Sequence, residues 1–187
     1  MYIKSGRFLD GAQIFVFMTN PDLISWNALL SEAHNHELSD LGPRVFHQML
    51  VEGLKPNMYS FISVLRSCSS LLDVGLGKQI HSHIIKTNLD DNDFVGTALI
   101  DMYAKGRFVE DAVKAFNRLS NRDLFTWTVI ITGYAQTDKA EESVACFNKM
   151  QEEGVKPNEF SIAGCLSACS RTTMLENGRQ LHSMVIK

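Results

Sequence analysis

Apolar residues recur along the chain at helical spacing. Ile24, Ala28 and Leu29 form one stripe, and Val45, Phe46 and Met49 a second. Phe94, Ala98, Leu99 and Met102 form a third, paired with a fourth made by Ala112, Ala115 and Phe116. Steps of three and four place such side chains on one face of an α-helix, whereas a half-buried strand would alternate at every second residue. Polar turns interrupt the stripes. The main ones end at Asp22, Asn57, Asn92, Asp123 and Asn158, at intervals of 35, 35, 31 and 35. Weaker breaks lie between them, at Asn35-His36, Leu72-Asp73, Gly106-Arg107, Thr137-Asp138 and Thr173-Met174. The pattern predicts two short antiparallel helices per unit, of about 11 to 15 residues each. One such hairpin cannot bury both of its apolar faces, so neighbours must stack. The expected fold is all-α: a right-handed superhelical solenoid of antiparallel helix hairpins, with the first helices lining one face.

A shift of 101 residues lays the chain over itself without gaps, and 26 of the 86 overlapping positions are identical. Trp26 falls on Trp127, and Glu52-Gly53 with Lys55-Pro56-Asn57 falls on Glu153-Gly154 with Lys156-Pro157-Asn158. Cys68-Ser69 falls on Cys169-Ser170, and Gln79 with His81-Ser82 on Gln180 with His182-Ser183. Such self-similarity marks a repeat architecture. The first unit is entered part-way and the last is incomplete, so the expectation is a piece of a longer array. Pro43 breaks the pattern, because its counterpart Val144 belongs inside a helix. Proline is tolerated in a first turn but not in an interior, so the helix carrying Pro43 is expected to start late, near Gly42, or to bend.

Composition narrows the class. In 187 residues there are 18 basic and 21 acidic side chains, a formal charge of −3, and 45% apolar residues. That apolar share suits a packed chain and excludes disorder. With 12 glycines and 4 prolines the chain is neither collagen-like nor of low complexity. No apolar run approaches the ~18 residues of a membrane helix, and Met1 to Arg7 lacks the pattern of a secretory signal. Mild acidity argues against holding duplex DNA by bulk charge, while leaving room for a locally basic groove. Cys68, Cys146, Cys165 and Cys169 have no CxxC spacing and read as small buried hydrophobes.

The rhythm of units resembles the pentatricopeptide repeat family, in its PLS subclass of alternating standard, long and short motifs. Asp22-Leu23-Ile24-Ser25-Trp26-Asn27 and Asp123-Leu124-Phe125-Thr126-Trp127 look like standard-motif openings, and Gly53-Leu54-Lys55-Pro56-Asn57 and Gly154-Val155-Lys156-Pro157-Asn158 like endings. Gly77-Lys78-Gln79-Ile80-His81-Ser82 and Gly178-Arg179-Gln180-Leu181-His182-Ser183 resemble the second helix of long motifs, and the run from Val95 to Lys105 a short motif. Tetratricopeptide repeats are the nearest confusion, but Leu30 and Ile131 stand where their glycine belongs. The resemblance implies a partial short motif at 1–22, a standard one at 23–57, a long one at 58–92 and a short one at 93–123. A second standard motif follows at 124–158, then a truncated long one at 159–187.

In the family each repeat reads one unpaired RNA base. Specificity lies in the fifth and the last residue of each motif. Carried over, the base-reading pairs are Asn27 with Asn57, Ile62 with Asn92, Thr97 with Asp123, and Thr128 with Asn158. Ala163 lacks a last-position partner, and the first motif retains only Asp22. A carboxylate only accepts hydrogen bonds, so Asp123 suits the protonated edge of guanine or uracil. An amide also donates, so Asn57 and Asn158 suit adenine or cytosine. The longer Asn27 suits a pyrimidine, and the shorter Thr97 and Thr128 leave room for a purine. The reading, 5′ to 3′, is pyrimidine (cytosine before uracil), an unassigned base, guanine, adenine. Ile62 and Ala163 cannot hydrogen-bond a base edge, so the long motifs are expected to read weakly. The second residue of each motif is expected to flank the base: Ile24, Tyr59, Phe94, Phe125 and Phe160. Position thirteen supplies Lys4, Lys105 and Arg171 for phosphates.

Each of these residues also has a plainer reading. Asp or Asn before a helix is an N-cap, a role that can coexist with base reading. The Phe and Tyr row can be core between hairpins, and Trp26 and Trp127 read as core outright. Lys4 and Lys105 can be solvated charges at helix C-termini. His81 and His83 point to different helix faces, and no partner is spaced for zinc around them or His182, so neither metal nor cofactor is expected. Glu141-Glu142 and Glu152-Glu153 read as solvated faces. The H-x-E and P-C-x-x-C signature of a zinc deaminase does not occur. The function the resemblance implies is non-catalytic, sequence-selective binding of single-stranded RNA within a plant RNA-processing factor, of C-to-U editing or another RNA modification. Its location is the mitochondrion or chloroplast, with no membrane contact. Expected partners besides organellar RNA are editing cofactor proteins, or a deaminase domain supplied by a further C-terminal segment or in trans. The alternatives are a protein-interaction scaffold of the same shape and, more weakly, a ribonuclease, for which no metal-spaced carboxylate cluster speaks.

Overall fold

The computed structural model describes residues 15, 18, 20–35 and 38–171, with His34, Asn35 and Arg171 described by backbone alone. Among these are nine helices and no strand. They are α1 (Leu23–Asn35), α2 (Leu41–Val51), α3 (Met58–Leu71), α4 (Val74–Lys86), α5 (Asp93–Lys105), α6 (Val109–Arg118), α7 (Leu124–Gln136), α8 (Ala140–Glu152) and α9 (Glu159–Arg171). Lengths run from 10 to 14 residues, so α6 is slightly shorter than expected. The breaks predicted at Leu72-Asp73, Gly106-Arg107 and Thr137-Asp138 each fall between two helices; Asn35 closes α1, and His36 and Thr173-Met174 lie outside the described residues.

Helices α1, α3, α5 and α7 each pack on the even-numbered helix that follows, and neighbouring odd-numbered helices from α1 to α9 pack on one another. The row α1–α3–α5–α7–α9 therefore forms one continuous layer, and α2, α4, α6 and α8 lie behind it. The molecule is an all-α helical-repeat solenoid. Position in the layers explains the sequence patterns. Helix α6 touches the rest along one stripe, burying Val109, Ala112, Ala115 and Phe116. Helix α5 is enclosed on three sides and buries eight of its thirteen residues, among them Val95, Leu99, Ile100, Met102 and Tyr103. Only Asp93 at its start and a narrow stripe of α5 through Phe94, Thr97, Asp101 and Lys105 keep contact with solvent.

The turns follow local chemistry. Helix α2 ends on Gly53 at φ +76° and α8 on Gly154 at φ +79°. Leu54 N–H bonds Met49 C=O and Gly53 N–H bonds Leu50 C=O, and Val155 to Met150 with Gly154 to Gln151 repeat the arrangement. These paired bonds satisfy the last carbonyls of the helix and need a left-handed residue, which glycine adopts without strain. Pro43 is the third residue of α2, and that helix opens two residues later than the register of α8 requires, as the first-turn rule demands. At Gly77 a Cβ would collide with the side chain of Met102, so this glycine lets α4 press onto α5.

Core assignments stand for Trp26 (5% exposed) and Trp127 (0%). Phe15 meets Trp26 edge-on at 4.6 Å, and Phe116 meets Trp127 in the same way at 4.7 Å. Cys68, Cys165 and Cys169 are buried, and Cys146 is half-buried. Ile24 and Phe94, which open two of the apolar stripes, do not join the core; they point to solvent.

Candidate nucleic-acid interface

The first residues after each polar turn start an odd-numbered helix. The turn residue caps it. Asn57 Oδ1 accepts from Tyr59 N–H and Ser60 N–H, each at 3.1 Å, and Ser60 Oγ accepts Asn57 N–H in return at 3.2 Å. Asn92 Oδ1 accepts from Phe94 and Val95 N–H. Asp123 Oδ1 takes both Thr126 N–H and Thr126 Oγ1, each at 2.9 Å. Asn158 Oδ1 accepts from Ser161 N–H at 2.9 Å. At Asp22 the hydroxyl and then the amide of Ser25 hold the carboxyl below its ordinary value. The capping role is thus real at all five turns. It consumes one oxygen of each side chain and leaves the other half: an Nδ2 amide in the asparagines, Oδ2 in Asp123.

The second residue of each odd-numbered helix is exposed. Ile24 is 77% exposed, Tyr59 61%, Phe94 68%, Phe125 51% and Phe160 64%. Five large apolar side chains at one register position, all facing solvent, exclude the reading that this row is core. The fifth residues lie one turn further along the same face. Asn27, Ile62, Thr97 and Thr128 are half-buried there, and Ala163 is exposed. Thr97 Oγ1 donates to Asp93 C=O at 2.8 Å and Thr128 Oγ1 to Leu124 C=O at 2.7 Å, so each hydroxyl retains only its acceptor side.

Two of the pairs converge, one by direct contact and one across a cavity. Asn27 Nδ2 donates to Asn57 Oδ1 at 3.1 Å. Thr97 and Asp123 share the wall of a cavity of about 380 Å³ between α3, α5 and α7, where Phe94 and Phe125 also stand. Thr128 and Asn158 lie on α7 and at the cap of α9, which pack together. Ile62 reaches the Thr97–Asp123 cavity, while its own partner Asn92 is occupied in capping α5.

Lys105 lies on the same cavity, with its Nζ 3.0 Å from Asp101 Oδ2, which also accepts from Ser69 Oγ at 2.7 Å. Lys4 lies outside the described residues, and Arg171 closes α9 without a described side chain. The sequence reading missed the ninth position of each unit. Arg66 and Asp101 occupy it in α3 and α5, and both line the cavity. The signal was present, since 62, 66 and 70 advance by four along one helix face.

Residues 97–124 match the profile described as PPR repeat, and residues 122–171 the profile described as PPR repeat family. Residues 97–171 thus match PPR repeats. It is 35% identical over 183 residues to a putative pentatricopeptide repeat-containing protein of Arabidopsis thaliana, covering 97% of this chain and 36% of that protein. A putative mitochondrial member from the same plant is 37% identical over the whole of this chain and 30% of its own length. A chloroplastic member is 33% identical, again over this whole chain and 21% of its length. The chain therefore spans about a fifth to a third of these relatives. Among solved structures, the pentatricopeptide repeat protein PPR10 in complex with an 18-nt psaJ RNA element matches 96% of this chain and 28% of that one. It does so with a TM-score of 0.74 at 17% identity. A further structure of PPR10 from maize matches 98% of this chain and 27% of that one, with a TM-score of 0.70 at 18% identity. At that identity the likeness establishes the fold.

Proposed function

We propose that this chain binds single-stranded RNA sequence-selectively, at about one base per hairpin, as the RNA-reading part of an organellar RNA-processing factor. The observation that carries the proposal is the pocket in which Thr97 and Asp123 face one space between the exposed rings of Phe94 and Phe125. A flat base between two rings gains about 1–3 kcal/mol from stacking, and its edge then meets the two polar side chains. Capping decides what that edge meets. Asp123 has given Oδ1 to Thr126 and offers Oδ2, an acceptor, which suits N1–H of guanine. Asn158 has given its oxygen to Ser161 and offers an amide donor, which suits N1 of adenine. At Asn27 and Asn57 a pyrimidine is read, cytosine before uracil. The Ile62 position assigns no base. Lys105 and Arg66 set two cations on this face, where Asp101 and Asp123 balance them, so phosphate contact there is local rather than driven by net charge.

The PLS subclass, the motif boundaries at 22, 57, 92, 123 and 158, and a role in C-to-U editing or another RNA modification belong to this reading. So does an organellar location, which the mitochondrial and chloroplastic relatives support. Chemistry on the RNA is assigned to another domain or partner. The test is a gel shift against single-stranded RNA carrying pyrimidine-x-G-A. Binding should weaken when guanine becomes adenine, and Asp123→Asn should reverse that preference. A protein-interaction scaffold would show no preference among the RNAs, and Asp123→Asn would change nothing.

A further inference from the structure

Ser60 is a buried hydroxyl (0% exposed) that touches both members of the first reading pair. Its Oγ lies 2.6 Å from Asn27 Oδ1 and 3.2 Å from Asn57 Oδ1, and it accepts Asn57 N–H at 3.2 Å. A hydroxyl has one hydrogen, and the shorter contact takes it, so Ser60 donates to Asn27 Oδ1. Asn27 Nδ2 in turn donates to Asn57 Oδ1, which also receives Tyr59 N–H and Ser60 N–H. This closed chain turns both side-chain oxygens inward. The hydrogens left over are one on Asn27 Nδ2 and two on Asn57 Nδ2. The pair therefore presents mainly donors to whatever stands before it. Cytosine answers with lone pairs at N3 and O2, whereas uracil sets its own N3–H against another donor.

We infer that Ser60 is a positioning residue that makes this Asn–Asn pair select cytosine over uracil, by fixing which way the two amides face. The inference rests on the RNA-reading function proposed above. Without the hydroxyl, Asn27 is free to turn its oxygen outward and accept N3–H of uracil. Equivalent hydroxyls stand in α1, α7 and α9, with Val95 in their place in α5, but they bond the cap residue before them: Ser25 to Asp22, Thr126 to Asp123, and Ser161 to Asn158. Among the described residues only Ser60 also holds the partner reading residue.

The test uses the 187-residue chain and fluorescence anisotropy with two pairs of RNAs. One pair differs by C or U at the nucleotide facing Asn27–Asn57; the other differs by G or A at the nucleotide facing Thr97–Asp123. The wild-type chain should favour C by roughly five-fold, the worth of one net hydrogen bond. Ser60→Ala should bring C and U to within about two-fold, with the G-over-A ratio unchanged. Ser60→Cys, similar in size with a weaker donor, should fall between and guards against a folding defect in the alanine variant. A purely structural role would weaken C and U alike. The inference is overturned if both variants keep the wild-type C-to-U ratio, or if the wild type favours U. Loss of preference at both nucleotides in the wild type would instead overturn the RNA-reading function itself.

Discussion

At Asn27 and Asn57 the two side chains proposed to read a base hydrogen-bond to each other across 3.1 Å, whereas those at Thr97 and Asp123 stand apart on the walls of an open cavity. The hairpins are built alike, and both cap residues surrender an oxygen to the helix they start. The difference lies in the fifth residue. Asparagine is long enough to reach the neighbouring cap and be held there; threonine is not, and bonds back to Asp93 C=O of its own helix. One site is thus satisfied within the protein and offers leftover donors. The other keeps a carboxylate oxygen and a space for a base. A repeat fold fixes where reading residues meet, and side-chain length decides whether they meet each other or leave room for a ligand.

The largest way to break the comparison is to remove what supports one site and not the other. Trp127→Ala should cost about 3–5 kcal/mol of folding stability, because the indole is fully buried against Phe116 just behind the start of α7. In a solenoid the loss is local, so hydrogen exchange should rise in α5 to α8 more than in α1 to α3. Denaturant unfolding together with exchange measures both.

Asp123→Asn should come next. The new side chain can still cap α7 through its oxygen, so thermal stability should barely change. The exposed acceptor becomes a donor, and preference at that nucleotide should swing from guanine to adenine by about 1.5–3 kcal/mol, read by competitive anisotropy. Phe94→Ala isolates the stacking contribution. The ring is mostly exposed, so folding should be unaffected while RNA binding weakens by about 1–3 kcal/mol irrespective of base. A fall in both stability and binding would return this row to the core.

The smallest effect concerns the joint behind the open site. His81 Nδ1 lies 2.9 Å from Tyr103 Oη, between α4 and α5. Burial, then the charge of Arg118, holds His81 below its ordinary value of 6.5, and burial pushes Tyr103 up to about 12. A histidine kept neutral in the fold contributes stability that is full above pH 6.5. That stability falls as pH drops through this value, because the unfolded chain takes up the proton first. The melting temperature of the wild type should therefore decline slightly more between pH 7 and pH 5 than that of His81→Asn.

Much of this was legible along the chain. The register of 101, the turns and the breaks within units are local properties: helical periodicity, cap residues and punctuation by Gly, Asn and Asp. Pro43 announced the late start of α2 in the same way. The nine-position stripe was visible in principle, since Arg66 advances by four from Ile62. Burial was harder. Ile24 and Phe94 are apolar and in phase with the core residues, and periodicity alone cannot say that the helix edge they occupy is the one facing solvent.

Sequence alone therefore determined that the chain makes stacked helix hairpins, and which polar residues cap the odd-numbered helices, because those choices depend on neighbours within a few positions. Tertiary structure decided what those residues do together. Ser60 lies 33 positions from Asn27, and Asp123 lies 26 from Thr97, and no local rule measures such gaps. Only the packing of one hairpin on the next brings two amides into contact at one site and opens a cavity between Thr97 and Asp123 at another.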